Sequence, residues 1–201
     1  MAATKTYTAQ LAALALLSCA LAGDAERLSA LQQVGGAVQD VLEREQAIAT
    51  AVERYRYMET CVVLGRGYNY ATAFEIALKL KELNQLIAES YSSADFMHGP
   101  IAIVGSGFPA LVVAPSGAMF DTMRTFTLEL KSRGAEPIVI SDRKEMLAEA
   151  VTPLPLPARV PEWLSPIVAV VPGQPFALHL TRLKGNDPDR PEGLQKVTRT
   201  R

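Results

Sequence analysis

A chain of 201 residues with 49% hydrophobic content can bury one substantial core, which excludes intrinsic disorder as the organising principle. Twenty basic residues against 21 acidic ones leave a net charge of -1, so nothing electrostatic points to nucleic acid or to an anionic membrane surface. Cys19, Cys61, His98 and His179 match neither a disulfide framework nor a metal-ligand spacing, and no metal or other cofactor is expected.

Residues 8–22 read as a buried helix of small apolar side chains, closed by Gly23 and Asp24. Within it, LAALALLSCALAG (residues 11–23) has the length and apolarity of a signal-peptide core, and Ala20 with Ala22 supplies a small-residue cleavage pattern. The preceding ATKTYTAQ carries one lysine among hydroxyl side chains where an export signal wants a compact basic start, and so short a run cannot span a bilayer. A helix packed inside a protein fits better, which implies a cytoplasmic location and no membrane partner. Residues 25–57 then read as a polar, amphipathic helical connector, with Leu28, Leu31, Val34 and Val38 at helical spacing and an interruption at Gly35 and Gly36.

From Glu59 the rhythm changes. TCVVLGRG is a continuous apolar run entering a Gly-x-Gly turn, which reads as a buried strand. A long helix is predicted over residues 70–89, then a strand at PALVVAP, a helix at SGAMFDTMRTFTLELKSRG closed by Gly134, and a third strand at EPIVISD. Strand, helix, strand, helix, strand specifies the α/β class, a parallel sheet with right-handed crossovers flanked by helices and preceded by helical segments. PEWLSPIVAVVPGQPFALHLTRLKG reads as two helical pieces meeting near residues 172–175, with His179 as a packing histidine, and a polar tail follows Gly185.

On the long helix, Ile76, Leu80, Leu83 and Ile87 recur on one apolar face. Glu75, Lys79 and Glu82 repeat that spacing one residue earlier, about 100° around the axis, and line the margin of the buried side. A surface ladder of i,i+4 pairs accounts for such a stripe. So does chemistry, because a carboxylate at the edge of an apolar pocket becomes a usable general base and a neighbouring ammonium polarises a hydroxyl or carbonyl oxygen. That pairing suits proton transfer alpha to a carbonyl, and His98 offers an acid or base for opening a sugar ring.

ALKLKE, AESYSSADFMHGPIAIV, VVAP and KGNDPDRPEGLQKVT together resemble sugar isomerase (SIS) domains. The likeness is to the second such domain in the isomerase half of glutamine:fructose-6-phosphate amidotransferases, and equally to a type of glucosamine-6-phosphate deaminase. It implies a flavodoxin-like three-layer sandwich and amino-sugar phosphate metabolism, with a sugar-phosphate substrate. Glu82 then matches the carboxylate that moves a proton between C1 and C2, and His98 the ring-opening histidine, which in that family reaches into a neighbouring subunit, so a homodimer is implied. Lys196 matches the tail lysine that forms a Schiff base with the ketose. Glu75 and Lys79 match supporting residues, and Ala3 stands where members commonly carry a substrate-contacting serine. The implied organisation is a remnant of a first SIS domain at 1–22, a connector at 23–58, a SIS domain at 59–185 and a lysine-bearing tail at 186–201. No hydroxyl-rich phosphate loop of a first domain is legible, so weak turnover and no better than millimolar affinity are expected of this chain, Ser92, Ser93 and Arg66 being the nearest substitutes. The alternative is a non-catalytic sugar-phosphate-binding regulatory module.

Overall fold

The run at residues 61–64 has no polar side on which to face water, so it is covered on both faces. A computed structural model describes residues 3–157 and 160–193. In it, β1 (Thr60–Gly65) is an inner strand of a parallel sheet with β2 (Ile87–Ser92), β3 (Pro109–Val113), β4 (Glu136–Ser141) and β5 (Thr152–Pro155), in the order β2-β1-β3-β4-β5. This is the flavodoxin-like doubly wound order. Successive side chains serve opposite cores: Cys61, Val63, Leu111 and Val113 belong to one apolar cluster, and Val62, Leu64, Ala110 and Val112 to the other.

Before the sheet come α1 (Thr4–Ala22), α2 (Ala25–Leu42) and α3 (Glu45–Val52). The first core is closed by α3, α4 (Asn69–Asn84), α8 (Ser165–Ala169) and α9 (Gly173–Leu183), and the second by α5 (Ser93–Met97), α6 (Phe120–Ser132) and α7 (Lys144–Leu147). The result is the expected three-layer sandwich, with α8 and α9 meeting at Pro172 as read from the sequence.

Four expectations are corrected. The long helix stops at Asn84, where Gln85 turns left-handed at φ 55, and the segment expected to extend it forms β2. Ile87 is consequently not on the helix's apolar face but 63% exposed on the sheet's edge. A fifth strand, β5, carries Pro153 and Pro155, which an edge strand tolerates because one side of its backbone has no ladder to feed. Helix α2 runs unbroken through Gly35 and Gly36, anchored on either side by buried Val34 and Val41. Finally, α1 buries only Cys19 and leaves Leu14, Leu16, Leu17 and Leu21 exposed, so within this chain it is not the packed interior helix its composition suggests.

Helix α4 is fixed at both ends. Gly65 passes so close to its first turn that a Cβ there would lie 2.2 Å from the Asn69 carbonyl oxygen. Asn69 Nδ2 donates to Ser165 Oγ at 2.8 Å, and Asn84 Nδ2 donates to the Ala177 carbonyl at 3.2 Å. Midway, a Cβ on Gly173 would meet Ile76 Cγ1 at 2.6 Å, so α9 lies almost backbone-to-side-chain against α4.

Candidate active site

The rigid α4 presents Glu75, Lys79 and Glu82 as one cluster. Lys79 is withdrawn into the protein, its side chain only 5% exposed, and Nζ donates to Glu82 Oε2 at 2.7 Å. Glu75 Oε1 lies 3.4 Å from the same Nζ, a charge contact without hydrogen-bond alignment, and that oxygen has no hydrogen-bond partner among the described residues. The stripe is therefore no solvated ladder. A lysine this buried stays only with opposite charge beside it, and here two carboxylates share it. Burial pushes the Glu75 carboxyl above its usual range, the Lys79 charge pulls it back in part, and the Glu82 charge pushes it up again.

Helix α1 comes up to this cluster at its Glu75 end. Its Tyr7 faces the Glu75 end, where Tyr70, Phe74, Glu75 and Leu78 wall a cleft of about 670 Å³. One turn earlier, Ala3, Thr4, Lys5 and Thr6 open onto a second cleft of about 640 Å³, shared with Leu83, Gln174 and Arg182. Ala3 is thus brought to the Glu82 end of the helix, since Leu83 is the next residue. It caps α1 with no side-chain hydrogen bond, as an alanine must. The tail reaches the same end: Gln85 Nε2 donates to Glu192 Oε2 at 3.3 Å. Lys196 lies outside the described residues.

His98 is not brought to this cluster. It ends α5 beyond the C-terminal end of β2, exposed, whereas Glu82 stands near the start of that strand. Six residues of strand separate the two levels by about 20 Å. The hydroxyls near His98 are committed locally: Ser92 Oγ accepts from the Asp95 amide at 3.1 Å and donates to Asp95 Oδ2 at 2.7 Å, and Ser93 Oγ accepts from Arg66 at 3.3 Å. His179 is not a buried packing residue either, since its Nε2 lies 3.0 Å from Glu45 Oε1 and ties α9 to α3.

Sequence reasoning missed Tyr7 and Gln174. The first was visible in the i,i+4 spacing of Tyr7, Leu11 and Ala15, which puts all three on the side of α1 that meets the core. Gln174, whose buried Nε2 lacks a partner among the described residues, carried no such signal.

Comparison with known proteins agrees with this architecture. Residues 57–150 match the SIS domain. The chain is 41% identical over 205 residues to a glutamine–fructose-6-phosphate aminotransferase (isomerizing) of Thermococcus kodakarensis, and 36% identical over 208 residues to its Bordetella pertussis counterpart. In both cases 98% of this chain and 34% of the relative are covered, so the chain spans about a third of the length of the curated relatives it matches. Among solved structures, the C-terminal domain of glucosamine-fructose-6-phosphate aminotransferase from Francisella tularensis superposes with a TM-score of 0.87 at 30% identity, covering 94% of this chain and 57% of that one. A glucosamine-6-phosphate deaminase from Thermotoga maritima shares the fold at a TM-score of 0.77 and 23% identity, over 96% of this chain and 56% of that one. Residues 57–150, which carry β1 to β4 and much of the two-sided core, are thus similar to the SIS domain.

Proposed function

We propose that this chain serves amino-sugar phosphate metabolism, isomerising a sugar phosphate with amination or deamination between fructose 6-phosphate and glucosamine 6-phosphate. The observation that carries the reading is Lys79, buried and clamped between Glu75 and Glu82, with Glu75 lining the cleft beside Tyr7. Such a cluster provides a carboxylate to move a proton and an ammonium to steady the oxygen that gains charge.

In this scheme Glu82 takes a proton from C1 of the sugar's C2 imine and returns one to C2, while Lys79 donates toward the C1 oxygen, which passes from hydroxyl to aldehyde. Glu75 holds Lys79 from the other side. The imine arises at Lys196, which condenses with the C2 carbonyl of the ketose with loss of water; ammonia then displaces the lysine amine, and the resulting iminium draws electrons from the C1–H bond, deamination being the reverse. His98 stands about a strand length from Glu82 in one chain, so ring opening at this site calls for the His98 of a second copy and the working form is a homodimer. Two buried free cysteines suit a reducing compartment, and no helix among the described residues is long and apolar enough to cross a membrane. We place the protein in the cytoplasm.

The competing reading is a regulatory module that binds a sugar phosphate without turning it over; the separation of His98 from Glu82 in one chain favours it. Incubation with fructose 6-phosphate in D₂O separates the two. Deuterium appearing at C1 supports the enzyme, binding without exchange supports the module, and neither binding nor exchange contradicts both.

A further inference from the structure

The direction of chain winding reverses between β1 and β3, and a doubly wound sheet takes its ligands in the crevice outside the carboxyl ends of the strands at that point. In this chain two carboxylates already sit on the loop that follows β3. Ala118 N–H donates to Glu162 Oε1 at 3.0 Å, and Ser116 gives Asp142 both its N–H, at 2.6 Å, and its hydroxyl, at 2.5 Å. Between them Gly117, at φ 150, leaves the space that Glu162 fills, because a Cβ there would overlap the carboxyl group of Glu162. Asp142 comes from the neighbouring loop after β4, but Glu162 comes from a separate helical turn, Glu162–Leu164, and is only partly buried. The same residue is tied to α4. Ser165 Oγ donates to the Glu162 carbonyl at 2.7 Å and accepts from Asn69 Nδ2, in the first turn of α4, at 2.8 Å.

We infer that Glu162 is an internal anion that closes this crevice against small anionic ligands and latches its loop to α4. N–H groups at the start of a helix draw negative charge, and here the chain supplies that charge itself, just ahead of α6. A ligand's carboxylate gains the Ala118 N–H only by expelling Glu162, whose charge repels it until it leaves. Because Glu162 is partly exposed, the exchange needs no opening of the core. Expulsion also frees the turn that braces the first turn of α4 through Ser165 and Asn69, on the helix that carries Glu75, Lys79 and Glu82. The inference stands apart from the sugar-phosphate reading, since nothing in it involves a sugar. Where that reading holds, it adds that the phosphate end of the substrate is held elsewhere than in this crevice.

The test is Glu162→Ala, which deletes a methylene and a carboxylate, together the heavy atoms of acetate. Sodium acetate is titrated against sodium chloride at equal ionic strength, and the backbone amides of Gly117 and Ala118 are followed by NMR. In the variant the two amide signals should shift with acetate and saturate, half-way at about 10 to 100 mM, the range of one charge-assisted hydrogen bond. Acetate should also raise the variant's Tm above its value in chloride, because it binds the folded state alone. In the wild type neither the amides nor Tm should respond. Wild-type amides that move with acetate as the variant's do would mean that the crevice is open, and a folded variant whose amides stay still would mean that the loop is no anion seat; either overturns the inference. If Glu162→Ala does not fold, Glu162→Gln decides, since it keeps an acceptor for Ala118 and removes only the charge: its Ala118 amide should respond to acetate, and one as silent as the wild type's overturns the inference as well.

Discussion

Replacing Lys79 with methionine removes the cation that Glu75 and Glu82 share while keeping the length of the side chain. The cost can be bounded in two ways. Removing one partner of a buried ion pair typically costs about 3 to 5 kcal/mol, because the other charge is left uncompensated. Glu75, 11% exposed, can escape by taking up a proton, and holding a carboxyl of ordinary pKa 4.5 protonated at pH 7 costs about 3.4 kcal/mol. Glu82, 25% exposed, is the more accessible to water and adds less. We therefore expect Lys79→Met to lose about 3 kcal/mol at pH 7. The sign of the pH dependence follows from Glu75. A carboxyl whose pKa is raised in the folded state contributes its full stability below the unfolded value and loses it as pH rises through the folded one. The deficit of the variant should thus shrink to under about 1 kcal/mol near pH 4.5, where protonating Glu75 costs almost nothing. Urea denaturation of both proteins at the two pH values measures this. A deficit of about 1 kcal/mol that is the same at both would mean that Lys79 acts through packing alone, and the account of a buried shared charge would be wrong.

Three further outcomes are expected. Ala3→Ser places a hydroxyl at the N-cap of α1, where none now bonds the first turn, and should stabilise by about 1 kcal/mol, read as a rise in Tm of about 2 to 4 °C; no rise would mean that the cap is already satisfied. Borohydride reduction in the presence of fructose 6-phosphate should leave the sugar's mass on the peptide containing Lys196, and an unmodified peptide from a protein that exchanges substrate protons would remove Lys196 from the mechanism. Sedimentation should show a dimer at micromolar concentration, since His98 cannot serve Glu82 within one chain; a monomer that catalyses exchange contradicts this.

The parallel sheet was legible wherever burial on both faces left an unbroken apolar run, as at β1, β3 and β4. It was not legible at the two edges. β2 follows α4 with no glycine or proline between them, and its IAESYS buries a single residue, Ala88, so its pattern continues the helix as readily as it begins a strand. β5 is punctuated by two prolines, which argue against a strand unless the strand is known to be at an edge. The cluster on α4 was visible as spacing, but the burial of Lys79 was not, because α4 is covered by elements that arrive from distant sequence, α8 and α9 among them. The cleft that Tyr7 and Glu75 both line has the same origin, since the two are 68 residues apart in the sequence. The exposure of α1 could not be read from composition, since a helix apolar all round looks buried until the structure around it is known.

The central claim is that Glu82 carries a proton between C1 and C2 of a sugar phosphate. Solvent exchange tests it most directly: deuterium incorporation into fructose 6-phosphate in D₂O, compared between the wild-type chain and Glu82→Gln, which keeps the size of the side chain and removes its basicity. The account predicts that exchange by the variant falls by about 10² to 10⁴ while its affinity for the sugar phosphate stays within a fewfold of wild type. Exchange by the variant at the wild-type rate would contradict it.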